Sequence, residues 1–239
     1  MSKRQELREK HLKQQKKQQV IIIIMVIVGA LLLATALIYP SLKPVGDVTE
    51  VTPRVINSQV SMNTIGNPDA PVKVDVWEDF QCPACKSYSE QIELLVIENY
   101  VDTGKVFYTF HHYPFIDSQV ATKESNQAAN ASMCAGAQGQ FWDYHDILFT
   151  NWNGENQGSF SDKRLVAFAE TLGLDMKEFN TCFDKNQYKA DIDKDFNDGK
   201  NQGVSGTPSV FVNSVQITPG YIPSYSELST AIDTALTGQ

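Results

Sequence analysis

Cysteine and histidine are scarce in this chain, which holds four of each in 239 residues. One pair of cysteines, Cys82 and Cys85, has Cys-x-x-Cys spacing, and no second pair does. A zinc site would usually need a second ligand pair at such spacing, so here it would need distant ligands such as His111, His112 or His145. We therefore expect no metal and no other cofactor.

Basic residues are sparse outside the N-terminus. Residues 1–19 carry seven Lys or Arg and two Glu, whereas residues 40–239 carry a net charge of −13. Nucleic-acid binding relies on basic patches on the folded part of a protein. The acidic body therefore argues against that class of function.

Charge is absent altogether from residues 20–39. As a helix, this run spans roughly 30 Å, the thickness of the hydrocarbon core of a bilayer. Many basic residues precede it and few follow, which places the N-terminus in the cytoplasm by the positive-inside rule. We expect a basic cytoplasmic tail at 1–19, a single-pass signal anchor at 20–39, and the rest of the chain outside the cytoplasm.

A cleavable signal peptide is the alternative for the same apolar run. Ala34-Thr35-Ala36 resembles the small-x-small pattern at which such peptides are cleaved. Both interpretations export the body of the protein. In an oxidising compartment an even number of cysteines favours disulfides over free thiols.

The Cys-x-x-Cys pair lies between a strand-like run, 72–80, and a helix-like run, 87–100. A cysteine at a helix N-terminus faces unpaired N–H groups and the positive end of the helix dipole. Both favour the thiolate of Cys82, so its pKa falls and the sulfur becomes nucleophilic. Pro83 suits the first helical position, which needs no N–H. Because Cys85 is one turn further on, the pair can form a disulfide and exchange it with other proteins.

The remaining pattern predicts a βαβ unit, an all-helical block and a ββα unit. Residues 40–64 resemble a tether with one short strand at 55–60. Strands at 72–80 and 105–112 should pair in parallel through a right-handed crossover. Five helices are predicted within a block of about 118–202, at 121–137, 141–149, 164–172, 176–183 and 188–196. A hairpin at 209–218, with its turn at Asn213-Ser214, and a helix capped by Ser224 and Glu227 follow.

Four segments of the chain, 66–72, 79–85, 128–146 and 203–209, carry a family resemblance. They resemble the DsbA-like thioredoxin-fold proteins, which are anchored or secreted thiol:disulfide oxidoreductases of prokaryotes. The resemblance covers residues 65–239. It implies an α/β thioredoxin fold (βαβ–ββα) with an all-helical insertion, which is the element order predicted above.

The resemblance also implies roles for individual residues. It makes Cys82 the attacking cysteine and Cys85 the one that resolves the mixed disulfide. It makes Pro208 a cis proline beside the active disulfide, and the backbone of Thr207 would then bind an extended substrate peptide. The implied partners are exported proteins with cysteines and a quinone-linked membrane oxidase, or its analogue, that re-oxidises the pair.

One departure from the family pattern concerns oxidising strength. The dipeptide between the cysteines is Pro83-Ala84, whereas the best-known strong oxidants have Pro-His. A histidine there stabilises the thiolate, and stabilising the reduced form makes a disulfide oxidising. A disulfide reductase or isomerase therefore stays open as an alternative, as does a non-catalytic thioredoxin-fold binding module or metallochaperone.

A second departure concerns proton transfer. The family often has a buried acid six residues before the first cysteine, where this chain has Val76. Glu78 and Asp79 are nearer, but we expect these strand-end residues to be solvated rather than catalytic. His111 and His112, at the end of the next strand, are also expected to be exposed.

Cys134 and Cys182 fall in two helices of the insertion. They are either two buried thiols or a structural disulfide, and export favours the disulfide. Closing a loop of that size stabilises a protein by roughly 3–4 kcal/mol in the chain-entropy model. Phe141, Trp142 and Tyr144 are expected in the core rather than in a substrate groove.

Overall fold

The computed structural model describes residues 3–42, 46–119 and 122–238. Predictions for residues 1–2 of the tail, 43–45 of the tether, 120–121 of the helical block and 239 lie outside the described residues. The chain divides into two compact units, Met1–Val45 and Gly46–Gln239.

The described residues of the first unit form one helix, α1 (Lys3–Leu42). Its stretch Lys16–Thr35 has a mean hydropathy of 2.4 and is long and apolar enough to cross a membrane. The large apolar side chains from Val20 to Leu33 are exposed, and a bilayer would cover them. The helix is thus compatible with the membrane anchor predicted at 20–39, and a signal sequence would have the same features.

The second unit is built on a six-stranded sheet with the order β1-β2-β4-β3-β5-β6. The strands are β1 (Val60–Ser61), β2 (Thr64–Ile65), β3 (Val72–Glu78), β4 (Val106–His112), β5 (Ser209–Val212) and β6 (Val215–Ile217). β3 and β4 are parallel, with Glu78 beside His112, whereas β5 pairs antiparallel with both β3 and β6. The parallel pairing predicted for the βαβ unit is confirmed.

Helices fill both the crossover and the insertion. The crossover contains α2 (Pro83–Tyr88) and α3 (Leu94–Val96), with π-helical turns at Ser89–Glu93 and Ile97–Val101. The insertion contains α4 (Glu124–Gly136), α5 (Phe141–Thr150), α6 (Asp162–Thr171), α7 (Met176–Asp184) and α8 (Lys189–Asn201), and the chain closes with α9 (Tyr225–Thr237). The predicted thioredoxin order with a helical insertion is confirmed.

Local chemistry accounts for the closing ββα unit. Asn213 and Ser214 have φ values of 47° and 67°, as a two-residue type I′ turn requires. At the start of α9, Glu227 N donates to Ser224 Oγ at 3.2 Å, and Ser224 N donates to Glu227 Oε2 at 2.8 Å. These reciprocal bonds form the predicted capping box.

Residues 46–64, interpreted as part of a tether, contact the folded body. The backbone N–H of Thr49 donates to Asn151 Oδ1 at 2.8 Å, and Ser58 Oγ donates to the Val101 carbonyl at 3.0 Å. The side chain of Arg54 is only 6% exposed. The short strand predicted at 55–60 is wrong except at Val60, because the backbone here bonds to side chains of the body rather than to a strand.

The insertion is cross-linked and shares the main hydrophobic core. Cys134 in α4 and Cys182 in α7 are joined by a disulfide, with their Cα atoms 5.8 Å apart. Phe141, Trp142 and Tyr144 are buried in the core, as expected. The helical block is therefore held to the sheet by packing and within itself by a covalent bond.

Candidate active site

The Cys-x-x-Cys pair lies where the chain leaves β3 and enters α2. Cys82 is the N-cap residue, with φ −77° and ψ 122°, and Pro83 occupies the first helical position. Cys82 is 6% exposed, whereas Cys85 is fully buried, and both are free thiols. An incoming sulfur atom can therefore reach Cys82 but not Cys85.

The surroundings of Cys82 favour its thiolate. Hydrogen bonding to the Cys85 thiol is the main reason why the pKa of Cys82 is lowered from 9.0 to about 6, against the opposing effect of burial. The Thr207 hydroxyl and the backbone N–H groups of Ala84 and Cys85 add to this lowering. The N–H groups are the unpaired donors at the start of α2. Within the described ranges the buried Thr207 hydroxyl has no hydrogen-bond partner, so it is free to donate to the Cys82 thiolate.

Cys85 is affected in the opposite direction. Burial, then the neighbouring Cys82 and Glu78, raise the pKa of Cys85 well above 9.0. Two sulfur atoms one turn apart thus differ sharply in proton affinity, and Cys82 carries the negative charge. This asymmetry makes Cys82 a nucleophile and a good leaving group, while Cys85 must receive a proton whenever it is released as a thiolate.

The predicted residues Thr207 and Pro208 lie against this pair. Cys82 Sγ is 3.3 Å from the carbonyl oxygen of Thr207, and the Thr207-Pro208 peptide bond is cis. A groove of about 530 Å³ runs beside them and is lined by uncharged residues that include Ala84, Tyr221 and Ile222. The four residues singled out for the site therefore meet at one place, next to this groove.

Glu78 is buried, whereas the sequence predicts that it is solvated. It is 1% exposed, and neither carboxyl oxygen has a hydrogen-bond partner among the residues described. Burial, followed by the charges of Glu93 and Cys82, raises the pKa of Glu78 well above 4.5, while the Cys85 thiol lowers it in part. The protonated carboxyl group is favoured, and its pKa responds to both cysteines.

Asp79 is also buried rather than solvated, but its oxygens are occupied. Burial raises the pKa of Asp79 to about 7. Asp79 Oδ1 accepts from the N–H of Gln81 at 2.9 Å, and Oδ2 accepts from the N–H of Ile116 at 3.1 Å. Asp79 therefore holds the loop before Cys82 in place, which leaves Glu78 as the free carboxyl group near the sulfur atoms.

The two strand-end histidines are not exposed in the way we expected. Burial lowers the pKa of His111, but its hydrogen bonds to Asp195 and Asp75 at 3.1 and 3.0 Å raise it overall to about 9. Burial lowers the pKa of His112 to about 4.

Among the described residues, no group of three or more His, Cys, Asp or Glu side chains is arranged to hold a metal ion.

A second buried cluster, which the sequence did not reveal, lies near Glu78. Arg54 forms ion pairs with Glu93, at 3.0 Å, and with Asp146. Glu93 also accepts hydrogen bonds from Tyr108 Oη at 3.1 Å and Ser89 Oγ at 3.2 Å. The charge of Glu93 acts on Glu78, so this cluster is part of the electrostatic environment of the cysteines.

Comparison with known proteins gives consistent matches. The thioredoxin family model matches residues 58–234. A protein named probable disulfide bond formation protein D, from Bacillus anthracis, is 27% identical over 178 residues, which cover 74% of this chain and 79% of that protein. Part of a longer protein named Na(+)/H(+) antiporter NhaA 1, from Salinispora arenicola, is 32% identical over 173 residues, which cover 72% of this chain and 24% of that protein.

A solved structure agrees with the fold. The crystal structure of oxidised BdbD from Bacillus subtilis superposes with a TM-score of 0.64 at 24% identity, over 81% of this chain and 100% of that one. At this identity the likeness concerns the fold. The chemistry of the site is therefore inferred from the side chains of Cys82, Cys85, Glu78 and Thr207.

Proposed function

Because this chain belongs to the thioredoxin family, and within it to the DsbA-like thiol:disulfide oxidoreductases, we propose that it introduces disulfides into exported proteins through Cys82 and Cys85. One observation carries the proposal. The pKa of Cys82 is lowered to about 6, whereas the pKa of Cys85, one turn away, is raised. An oxidant of thiols needs this asymmetry, because its reduced form must be stabilised as a thiolate.

The first chemical step starts from the oxidised protein, in which Cys82 and Cys85 share a disulfide. A substrate thiolate attacks the Cys82 sulfur, a bond forms between these two sulfur atoms, and the Cys82–Cys85 bond breaks. The bonding electron pair goes to Cys85, where burial disfavours a thiolate. Glu78, buried and protonated, is placed to give its proton to this leaving sulfur.

The second step releases the product. A second substrate thiolate attacks the substrate sulfur of the mixed disulfide, and Cys82 leaves as a thiolate. With a pKa of about 6, this thiolate is stable at neutral pH and is a good leaving group. The substrate now holds a disulfide, and the protein holds the two electrons as a dithiol. A membrane oxidase, quinone-linked or analogous, would then re-oxidise the pair.

Substrate binding and location complete the proposal. An extended peptide would lie in the groove beside Pro208 and bond to the backbone of Thr207, in the manner of an added strand. The absence of charged residues from the groove lining suits substrates of varied sequence. Helix α1 would anchor the protein, with its basic end in the cytoplasm and the catalytic domain on the other side.

The direction of the reaction depends on how far the thiolate stabilises the reduced form. For a thiol with a pKa of about 6, ionisation at neutral pH contributes about 1.4 kcal/mol, or roughly 30 mV for a two-electron couple. Thioredoxin has a thiol pKa of about 7 and the strong oxidant DsbA about 3.5, so Cys82 lies between them. This position favours oxidation over reduction.

A redox titration of the full-length protein against glutathione tests the direction. We expect a reduction potential for Cys82–Cys85 above that of thioredoxin, which is about −270 mV. A value at or below about −270 mV, that of thioredoxin, would indicate a reductase instead. Stoichiometric metal in freshly purified protein would favour the metallochaperone alternative.

A further inference from the structure

Arg54 is a buried cation that belongs to the segment before the domain. The family match begins at residue 58, so Arg54 lies outside it. Its guanidinium group lies 5.3 Å from the centre of the Trp142 ring, and its Nε donates to Asp146 Oδ2 at 2.8 Å. Its Nη1 donates to Glu93 Oε2 at 3.0 Å. A part of the chain that resembled a linker therefore supplies a charge to the interior of the domain.

Glu93, the partner of Arg54, is fully buried in the crossover helix. Its carboxylate accepts from three donors, Arg54, Ser89 and Tyr108. Donors that include a cation are the means by which proteins keep a buried carboxylate ionised. Removing the cation would leave a buried negative charge without a counterion, and such a group takes up a proton instead.

The charge of Glu93 reaches the active site. Tyr108 Oη, bonded to Glu93, lies 3.4 Å from Tyr88 Oη, and Tyr88 follows Cys85 by one turn of α2. After burial, the charge of Glu93 is the largest cause that raises the pKa of Glu78. Glu78 and Glu93 are thus two buried carboxyl groups, and the charge of Glu93 acts on Glu78 beside the cysteines.

We propose that Arg54 is a positioning residue for disulfide exchange: by holding Glu93 as a carboxylate, it keeps the proton of this buried pair on Glu78, beside the Cys85 sulfur. The inference rests on the proposed function, in which Glu78 protonates Cys85. Arg54 touches neither sulfur atom, and it acts through Glu93.

Several other groups surround the two carboxyl groups. The start of α2 supplies Cys82, Cys85 and Tyr88, and β4 supplies Tyr108 and His112. The groups around Glu93 are Arg54, His145 and Asp146. Burial raises the pKa of both tyrosines and lowers the pKa of His112, so these three groups stay neutral near pH 7. Burial opposes ionisation of Asp146, but hydrogen bonds from His145 and Arg54 lower its pKa overall.

The sign of the effect follows from these charges. In an Arg54→Met variant, Glu93 takes up a proton and no longer raises the pKa of Glu78. The positive charge of Arg54, which lowers the pKa of Glu78, is lost as well, but its effect is smaller than that of Glu93. The pKa of Glu78 therefore falls, and Glu78 stops acting as an acid at a lower pH than in the unaltered protein.

The experiment measures oxidation of a synthetic dithiol peptide by the oxidised full-length protein in detergent, from about pH 5 to about pH 10. Dividing each variant's rate by that of the unaltered protein cancels the ionisation of the peptide. The Arg54→Met ratio should stay near one at acidic pH and fall, by up to about tenfold for a shift of about one pKa unit, across the pH range in which Glu78 has lost its proton in the variant but keeps it in the unaltered protein. Arg54→Lys, which keeps the cation, should restore a ratio that does not change with pH.

Arg164 provides the matched control, because it is an arginine that also stacks on a ring, that of Phe168, and is not among the groups that shift the pKa of Glu78, Cys82 or Cys85. Arg164→Met should give a ratio independent of pH. If Arg54→Met fails to fold, Glu93→Gln serves in its place, since it removes the same negative charge and should lower the ratio in the same pH range. A ratio independent of pH for Arg54→Met, or for Glu93→Gln in its place, overturns the inference. Absence of peptide oxidation by the unaltered protein at every pH overturns the proposed function instead.

Discussion

A Cys85→Ala variant will accumulate mixed disulfides with exported proteins, whereas a Cys82→Ser variant will form none and will lose thiol oxidation completely. The Cys82 thiolate of the first variant still attacks disulfides, because Cys82 remains partly exposed at the start of α2. Without Cys85, no thiol within the pair can displace the bound partner, so the adduct persists. In the second variant the Cys-x-x-Cys pair has no sulfur left that a substrate can reach, because Cys85 is fully buried.

The measurement is non-reducing electrophoresis and mass spectrometry after acid quenching and alkylation of cells that export the protein.

Because the Cys85 thiol is the main cause of the lowered pKa of Cys82, removing the Cys85 thiol will slow adduct formation at neutral pH. An in vitro reaction with oxidised glutathione should therefore be run near pH 9, where an ordinary thiol is substantially ionised. The Cys82→Ser/Cys85→Ala double variant is the control. Equal adducts in this control, or none in Cys85→Ala, would contradict the assigned roles.

Glu78→Gln will slow peptide oxidation by about a hundredfold near neutral pH, at the low end of what a general acid contributes. Glutamine keeps the shape of the side chain but has no proton to give to Cys85. The raised pKa of Glu78 means that its acid function is present at low pH and is lost as pH rises through that pKa. The rates of the variant and the unaltered protein should therefore converge at alkaline pH.

The same substitution should make the protein more stable at neutral pH. A carboxyl group whose pKa is raised by folding favours the folded state fully only below its unfolded value of 4.5, and this contribution is lost as pH rises. Glutamine removes that pH-dependent loss, so the variant should be less active and yet more resistant to urea. The exposed Glu90, which pairs with Lys86, is the control, and Glu90→Gln should change neither property. A slower and less stable Glu78→Gln protein would indicate a purely structural role.

Local signals made much of the fold predictable from the sequence. Cys82 and Pro83 at the start of a helix, the turn at Asn213-Ser214 and the cap at Ser224 depend only on residues that are close in sequence. The burial of Glu78 is also predictable from the sequence, because the alternation that buries Val72, Val74 and Val76 places residue 78 on the same face of the strand. The charge of Glu78 and its position at the end of β3 instead favour exposure, which is why the sequence alone predicts a solvated side chain.

Contacts between distant residues set the limit of prediction. Arg54 and Glu93 are 39 residues apart, and neither lies in a motif that indicates its partner. Glu93 stands beside Ile92 and Leu94 on the crossover helix, where a lone carboxylate is normally exposed. Its burial becomes favourable only when the segment before the domain folds back and provides a cation. Asp195 in α8 also makes contacts that the sequence does not indicate, because it bonds to His111 and to the backbone of His112, which are distant in the sequence.

Cys82 is a thiolate at neutral pH because α2 begins at it and Cys85 and Thr207 hydrogen-bond to it. The most direct test follows the ultraviolet absorbance of the thiolate in the reduced full-length protein as pH is varied, with Cys82→Ser as the blank. We expect a midpoint near the Cys82 pKa of about 6. A midpoint near that of an ordinary cysteine, about 8.5, would contradict it.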